Sequence, residues 1–397
     1  MDAVAVQKYT APGRYMHWAV AGLIALQFIL AQLAERAEEA GAPLRQLALL
    51  ANHKSVGMTV LMLALVRIAW RLSHPAPTPP ATMPVWQRRT AATAHVSLYG
   101  LLFAMPITGW LMSSASAYTV SWFNLFAFPD LVASSAALKD TLAEIHETLA
   151  GVLAALAALH IGAALWHHFK EKDEVLHRMT SMGSVTLGCG LLAIGITALA
   201  IIGPSGGPPV SAEATRSPDR VVTQQVPITT SDLLMWSIAY ADSEISFSAE
   251  QAGAIFTGHF STWQAHIQFE PENLPASSAL VEIELSSVQT GDSDRDATLG
   301  QPDWFAAGVA RFSVGKFEKL DSGATPTFRT IGATLSFGGA AHPVELTFSL
   351  TQNESTRVLE GTARLDRLAL GVGTGEWTDT TWVGQFVDVL VRVVAKP

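Results

Sequence analysis

The sequence predicts two parts of different class. The first is an all-α transmembrane bundle of four helices with a fifth transmembrane helix behind it, and the second is an all-β antiparallel domain. Three observations carry this reading. Five long apolar runs precede Gly203, and the whole chain combines a mean hydropathy of +0.29 with only 15% charged residues. A stretch rich in Gly, Pro and Ser follows, PSGGPPVSAEATRSPDRVVTQQVP. Beyond it, short segments alternate apolar and polar residues, which is the period of a strand. The expected boundaries are 8–180 for the bundle, 184–203 for the fifth helix, 204–227 for a flexible linker and 228–397 for the β domain.

Composition narrows the partners. A net charge of −9 lacks the basic footprint of a nucleic-acid binder. The single cysteine, Cys189, sits in an apolar run, so an intrachain disulfide and a cysteine-held zinc or iron–sulfur site are both excluded. Nine of the twelve histidines precede residue 180, so any imidazole chemistry belongs to the helical part.

Each helix has its own signal. Tyr15 to Leu33 is long and apolar enough to cross a bilayer. Lys8 and Arg14 ahead of it resemble the start of a signal peptide, but His17, Trp18 and the spans that follow argue against cleavage. The second helix is expected from Leu47 to Leu72, with His53 near its start and Arg67 and Arg71 near its end. His74–Pro84 is a proline-rich loop. The third helix runs from Thr90 to Ser113 with His95 near its start, and the mixed stretch after it, containing WFNLFAFPD, suits a membrane interface. The fourth is Leu142–Phe169, and the fifth, Ser184–Gly203, has neither charge nor histidine. Basic loop residues are the guide to orientation. Lys8, Arg14, Arg67, Arg71, Arg88, Arg89, Lys170, Lys172 and Arg178 fall on one side, against Arg36, Arg45, Lys54 and Lys139 on the other. The N-terminus is therefore expected in the cytoplasm, and five spans put the β domain across the membrane.

The fourth helix carries the chemistry. His146 and His160 are fourteen residues apart, so they share nearly one face, about 21 Å apart along the axis. Ionisable groups inside a span are costly and mark function. With the N-terminus inside, His17 is level with His160, and His53 is level with His146. A b-type haem held by two imidazoles needs one from each of two facing helices. Two level pairs thus predict two haems b, with His17 and His160 on the inner iron and His53 and His146 on the outer one. His95, at the depth of His17, is a rival inner ligand; the preferred reading is an interfacial histidine bonded to a propionate or to water. Arg67 and Arg71 either snorkel to lipid phosphate or grip haem propionates in a bidentate fork. His167, seven residues beyond His160, reads with His168 as a surface residue of a basic loop. Contact with a quinone or a propionate is the alternative for His167.

The strand segments of the β domain are LVEIELSSV, TFRTIGATLSF, VELTFSLTQ, RVLEGTARLDRLAL and VDVLVRVVA, with a short helix or loop over Ala297–Ala307. They suggest a barrel or sandwich, and a closed barrel of about eight strands can hold one apolar ligand. Phe247, Phe256, Phe260, Trp263, Phe269, Trp304, Phe305 and Phe312 are the candidates to line such a cavity, with ordinary core packing as the alternative for each. The charged group Asp292, Asp294, Arg295 and Asp296 reads as a solvated loop rather than a metal site, and Arg364 and Arg367 as surface residues, with neutralisation of a polar head group as the alternative.

Four segments, RYMHW, NHKSVGMTVLMLALVRIAWRL, AHVSLYGLLFAMPITGWLMSSA and LAEIHETLAGVLAALAALHIGAALWHHF, resemble the bacterial cytochrome b561 family over about residues 8–180. That resemblance implies a four-helix bundle with b-type haem in a bacterial inner membrane, moving electrons between the quinone pool and another donor or acceptor. The family's ligand positions fall on His17, His53, His146 and His160. Some members oxidise superoxide and reduce ubiquinone, and a related hydrogenase-type cytochrome takes electrons from a redox partner protein. From about Ile228 onward, stretches such as SDLLMWSIAYADSEISFSAEQAGAIFTGHFSTWQAHIQFEPENLP and GTARLDRLALGVGTGEW resemble the YceI family. This implies a lipocalin-like periplasmic barrel that binds long isoprenoid chains, quinone tails included. His342 stands where members have a Lys before Pro-Val, which is expected to affect a surface turn only.

The combined expectation is a dihaem, quinone-linked electron-transfer protein with a tethered barrel. The linker would let the barrel, loaded with ubiquinone or another isoprenoid, reach about 25–30 Å. Two alternatives are a superoxide:ubiquinone oxidoreductase and, in another class, a membrane-anchored lipid-binding or trafficking module. An anchor needs one span and no buried imidazole, which weighs against the last. Pairing into a homodimer is left open by the sequence.

Overall fold

The structure, a computed structural model, describes residues 8–79, 83–202, 235–306, 308–321, 323, 325–353 and 356–396. The expected linker at 204–227 and the expected start of the β domain at 228 lie outside the described residues. The chain divides into a helical unit and a β unit.

The helical unit is built from α1 (Ala11–Glu39), α2 (Pro43–Ser73), α3 (Val85–Ala115), a hairpin of β1 (Ser121–Trp122) and β2 (Phe126–Ala127), and α4 (Ala136–Trp166). A π-helical turn, His167–Glu171, closes α4, and α5 (Val175–Met179) and α6 (Met182–Ile202) follow. α1, α2 and α3 outrun the apolar runs that announced them at both ends, and α4 starts six residues earlier than expected. Thr10 Oγ1 accepts from Gly13 N–H at the start of α1, which also has Pro12 in its first turn, and Ser135 accepts from Leu138 N–H at the start of α4. Gly41, at φ 64°, supplies the left-handed residue that lets α1 turn into α2. Among the described residues four helices, α1 to α4, are long and apolar enough to cross a membrane.

Leu26, Leu30, Ala34 and Ala37 of α1 pack on Leu49 and Val56 of α2. Val20, Val60, Ala64 and Leu102 join α1, α2 and α3. α6 lies along α1 at backbone distance: a Cβ on Gly188 would come 2.5 Å from the carbonyl oxygen of Trp18. The chain after α4 closes the same end of the unit, where Trp18 Nε1 donates to Met179 O (3.0 Å) and Arg178 donates to Thr78 O (2.6 Å). α4 packs along α3 and, among the described residues, makes no comparably extensive contact with α1 or α2.

The β unit runs β3 (Ser237–Ile238), β4 (Glu244–Gln251), β5 (Ala254–Phe260), β6 (Trp263–Gln268), β7 (Ser278–Glu284), β8 (Val288–Gln289), α7 (Ser293–Leu299), β9 (Val309–Val314), β10 (Phe317–Asp321), β11 (Thr327–Thr330), β12 (Ala333–Phe337), β13 (Ala340–Val344), β14 (Thr347–Gln352), β15 (Arg357–Asp366) and β16 (Phe386–Lys396). The described strands form two antiparallel sheets rather than one unbroken ladder. Nine strands run in the order β10-β11-β14-β15-β16-β4-β5-β8, with β3 on β16, and five in the order β13-β12-β9-β7-β6.

Three of the strands expected from sequence are each broken in two, and each break carries the chain from one sheet to the other. LVEIELSSV is interrupted by a 3₁₀ turn at Leu285–Ser287, TFRTIGATLSF at Gly332 (φ 64°), and VELTFSLTQ between β13 and β14. Such bends make the corners of orthogonal sheets. The two sheets close over a common apolar interior, in which Trp263, Ala265 and Ile267 of β6 meet Phe328, Phe348, Leu359 and Val393 of the larger sheet.

Candidate functional site

Two groups of histidines occupy the helical unit. In the first, the His17 ring of α1 stands 6.3 Å from His160 of α4, and His95 of α3 stands 5.4 Å from the same ring, both edge-on. The structure therefore joins the expected inner pair and adds His95 as a third member, nearer to His160 than His17 is.

In the second group each ring is fixed by a neighbouring helix. His53 Nδ1 lies 3.2 Å from Gln27 O of α1. A carbonyl oxygen can only accept, so Nδ1 carries the proton and Nε2 keeps its lone pair. His146 Nδ1 lies 3.0 Å from Thr108 Oγ1, whose own proton is directed to Ala104 O at 2.8 Å. With the Thr108 proton on Ala104 O or on Met105 O (3.0 Å), Oγ1 accepts from His146 Nδ1–H and Nε2 keeps its lone pair. Gly109 makes room for this ring, since a Cβ there would come within 3.2 Å of it. A donor bond at one ring nitrogen is the usual way a protein orients a metal-ligating histidine. Each of the two imidazoles thus has Nε2 available as a metal ligand.

The hairpin β1–β2 is tied to α2 within two turns of His53. Buried Ser55 donates to Ser121 O (3.0 Å) and accepts from Phe123 N–H (3.0 Å), while Trp122 Nε1 donates to Thr59 Oγ1 (3.0 Å).

Cations gather near the first group. Arg67 Nε donates to Tyr99 OH (3.0 Å), and the Arg71 guanidinium lies 5.8 Å from the Tyr9 ring. Among the described residues neither has an acidic partner, and Arg71 Nη1 and Arg14 Nε are buried without an acceptor. Unpaired buried guanidinium groups fit carboxylates such as haem propionates. His167 is not the solvated residue expected from its basic surroundings. It is 14% exposed and pairs through Nδ1 with Asp173 Oδ2 at 2.5 Å, because the π-helical turn and Lys172 in the left-handed region fold the chain back on itself. His168 meets His177 at 5.3 Å.

In the β unit the predicted aromatics fall into two linked clusters. Trp263 and Phe269 belong to the larger core, where Phe269 contacts Phe317, Phe328 and Phe348. Phe247, Phe256 and Phe305 belong to the second, with Trp304, Val387 and Val389. Phe260 packs against both. Phe312 shares the inward side of β9 with Ala310 and Val314 but joins neither cluster.

Two charged residues are buried where the sequence predicts exposure. Arg295, expected in a solvated loop, is buried over the Phe256 ring (4.1 Å) and bonds Thr290 and Gln251. Arg367, expected at the surface, is 2% exposed and donates to the carbonyls of Val372, Gly373, Trp377, Val383 and Gly384. The available signals were the Asp292 cap three residues before Arg295 and the run of glycines after Arg367. Gly371, Gly373 and Gly375 all take positive φ in the loop that wraps the guanidinium. Arg364 is exposed, as expected, beside Asp388. His342 lies on β13 and not in the turn, its ring 5.8 Å from Phe337.

Comparison with known proteins assigns both parts. Residues 8–182 match the model of the prokaryotic cytochrome b561 family, and residues 236–395 match that of the YceI-like domain. The chain is 36% identical to cytochrome b561 homolog 2 of Escherichia coli over 34% of its own length and 72% of that protein. It is 30% identical to a probable superoxide oxidase, CybB, of Yersinia pestis over 44% of its length and 96% of that protein. Among solved structures, Burkholderia cenocepacia BcnA is similar at 26% identity and a TM-score of 0.38, over 40% of this chain and 99% of BcnA.

Proposed function

This chain belongs to the prokaryotic cytochrome b561 family and carries a YceI-like domain, and from that premise we propose that it is a dihaem b-type cytochrome exchanging electrons with the quinone pool. The observation that carries the reading is the pair His53 and His146, each with Nδ1 engaged by a neighbouring helix and Nε2 left to bind. Haem, when bound, supplies a one-electron carrier at each end of the bundle. The residues do the rest. His53 and His146 hold the outer iron, oriented by Gln27 and Thr108. His17 and His160 hold the inner one, with His95 beside them. Arg67 and Arg71 neutralise propionate charge. His167, paired with Asp173, is the inner-side group suited to a quinone oxygen.

The N-terminus lies in the cytoplasm of a bacterial inner membrane and the β unit lies in the periplasm. There the unit binds an isoprenoid chain such as a quinone tail along Phe247, Phe256, Phe260 and Phe305, with Trp263, Phe269 and Phe312 around them. α6 adds a fifth span against α1. The test is to add ubiquinol to the purified, oxidised protein and follow the b-type absorption band. Rapid reduction is the expected outcome; protein that holds haem yet stays oxidised would sink the reading.

A second reading, oxidation of superoxide at the outer pair, is supported by the similarity to the Yersinia pestis protein and by Lys54 next to His53, its ammonium 4.9 Å from the Tyr118 ring. A cation beside the outer site would draw in an anionic donor. Superoxide would then reduce the haem in the absence of quinol.

A further inference from the structure

Trp304 sits in the loop that follows α7, and its indole nitrogen is a buried polar atom that the packing of the β unit leaves unexplained. Nε1 is sealed from solvent, yet no described residue offers it an acceptor. Buried donors are nearly always paired, and one left unpaired is costly. The ring is also held firmly. Trp304 N–H donates to Gln301 O at 3.0 Å, and the neighbouring Asp303 O accepts from Gly373 N–H (2.7 Å) and Thr374 N–H (2.9 Å). Trp377 meets the ring edge-on at 5.4 Å, and the Arg367 guanidinium lies 5.6 Å away. Gly373 is needed for this fit, since a Cβ there would come 3.2 Å from the indole. The rest of the indole packs on the aromatic interior with Phe247, Phe260 and Phe305.

We propose that Trp304 Nε1–H is the head-group donor of the β unit, receiving one neutral acceptor oxygen, a carbonyl or a hydroxyl, of an isoprenoid whose chain lies along the aromatic interior. This deepens the lipid-binding reading above and rests on it. The choice of a neutral oxygen over a phosphate follows from the cations. All five N–H donors of Arg367 are spent on main-chain carbonyls, and Arg295 is committed to Thr290 and Gln251. A phosphate needs several donors and a charge to meet it, whereas a single rigid N–H suits one carbonyl or hydroxyl.

The test uses the full chain in detergent and the Trp304→Phe variant, which keeps an aromatic ring and removes the donor. Four probes are titrated: ubiquinone-10 for the carbonyl, decaprenol for the hydroxyl, squalene for the bare hydrocarbon and decaprenyl phosphate for the anion. The substitution is expected to weaken decaprenol or ubiquinone-10 by about three- to tenfold, the value of one hydrogen bond, and to leave squalene unchanged. The probe that responds identifies the head group. An equal loss for squalene would mean that the indole serves packing alone, and no change for either oxygenated lipid would mean that the donor is not used; each overturns the inference. Decaprenyl phosphate binding most tightly, and equally to both proteins, overturns it too. Failure of all four probes to bind the unaltered chain overturns the lipid reading beneath it.

Discussion

One hydrogen bond orients each of His53 and His146. Sequence spacing sets His53 and His146 at a common expected depth, but it could not show that their Nδ1 atoms lie at Gln27 O and Thr108 Oγ1. Those partners sit on other helices and carry no local signature. The same limit explains the two arginines. Arg367 and Arg364 look alike in sequence, yet only Arg367 is enclosed, because the glycine-rich loop after it and the segment leading into β16 together turn five carbonyls inward. Asp366, next to it, holds that loop from outside. Its carboxylate is kept below its ordinary pKa, first by the Ala369 N–H, then by Gln385 and the Leu368 N–H. A depressed carboxylate pKa stabilises the fold above the ordinary aspartate range and loses that contribution as pH falls through the lowered value. Thermal unfolding of the β unit should therefore fall off on acidification, and more weakly in Asp366→Asn. An unchanged acid dependence in that variant would show that Asp366 is not the group responsible.

Helices were easier to read than strands, for a physical reason. A lipid-facing helix needs about 20 apolar residues in a row, and the caps Thr10 and Ser135 only lengthen what the run already announces. Strands follow an alternation that a corner does not disturb, so TFRTIGATLSF reads as one strand although Gly332 sends its halves into different sheets. The contact between α1 and α6 was also invisible, since small residues in an apolar run do not say which partner they meet. It is now testable at single positions. Gly188→Ala gains about 1 kcal/mol of helix propensity but drives a methyl into the Trp18 carbonyl, which is main chain and cannot rotate away. Overpacking of this kind costs about 1–3 kcal/mol, so the melting point in detergent should drop. Gly190→Ala, with open space around its Cβ position, should raise it slightly. Equal effects at the two positions would argue that α6 does not pack as described.

The whole molecule joins a member of the cytochrome b561 family to a YceI-like domain in one chain. The helical unit was legible because histidines stand out in long apolar runs, while the interior of the β unit was not, because aromatic residues in a strand look the same whether they fill a core or line a ligand. Tethering would keep a lipid carrier near its redox site at high effective concentration, but every such role depends first on the bundle holding two haems. The most direct test is haem quantification by reduced-minus-oxidised spectra on the purified chain and on His146→Ala and His160→Ala. Two haems b per chain, falling to about one in each variant, is the predicted result. Full haem content in either variant, or a single haem in the unaltered chain, would contradict the account.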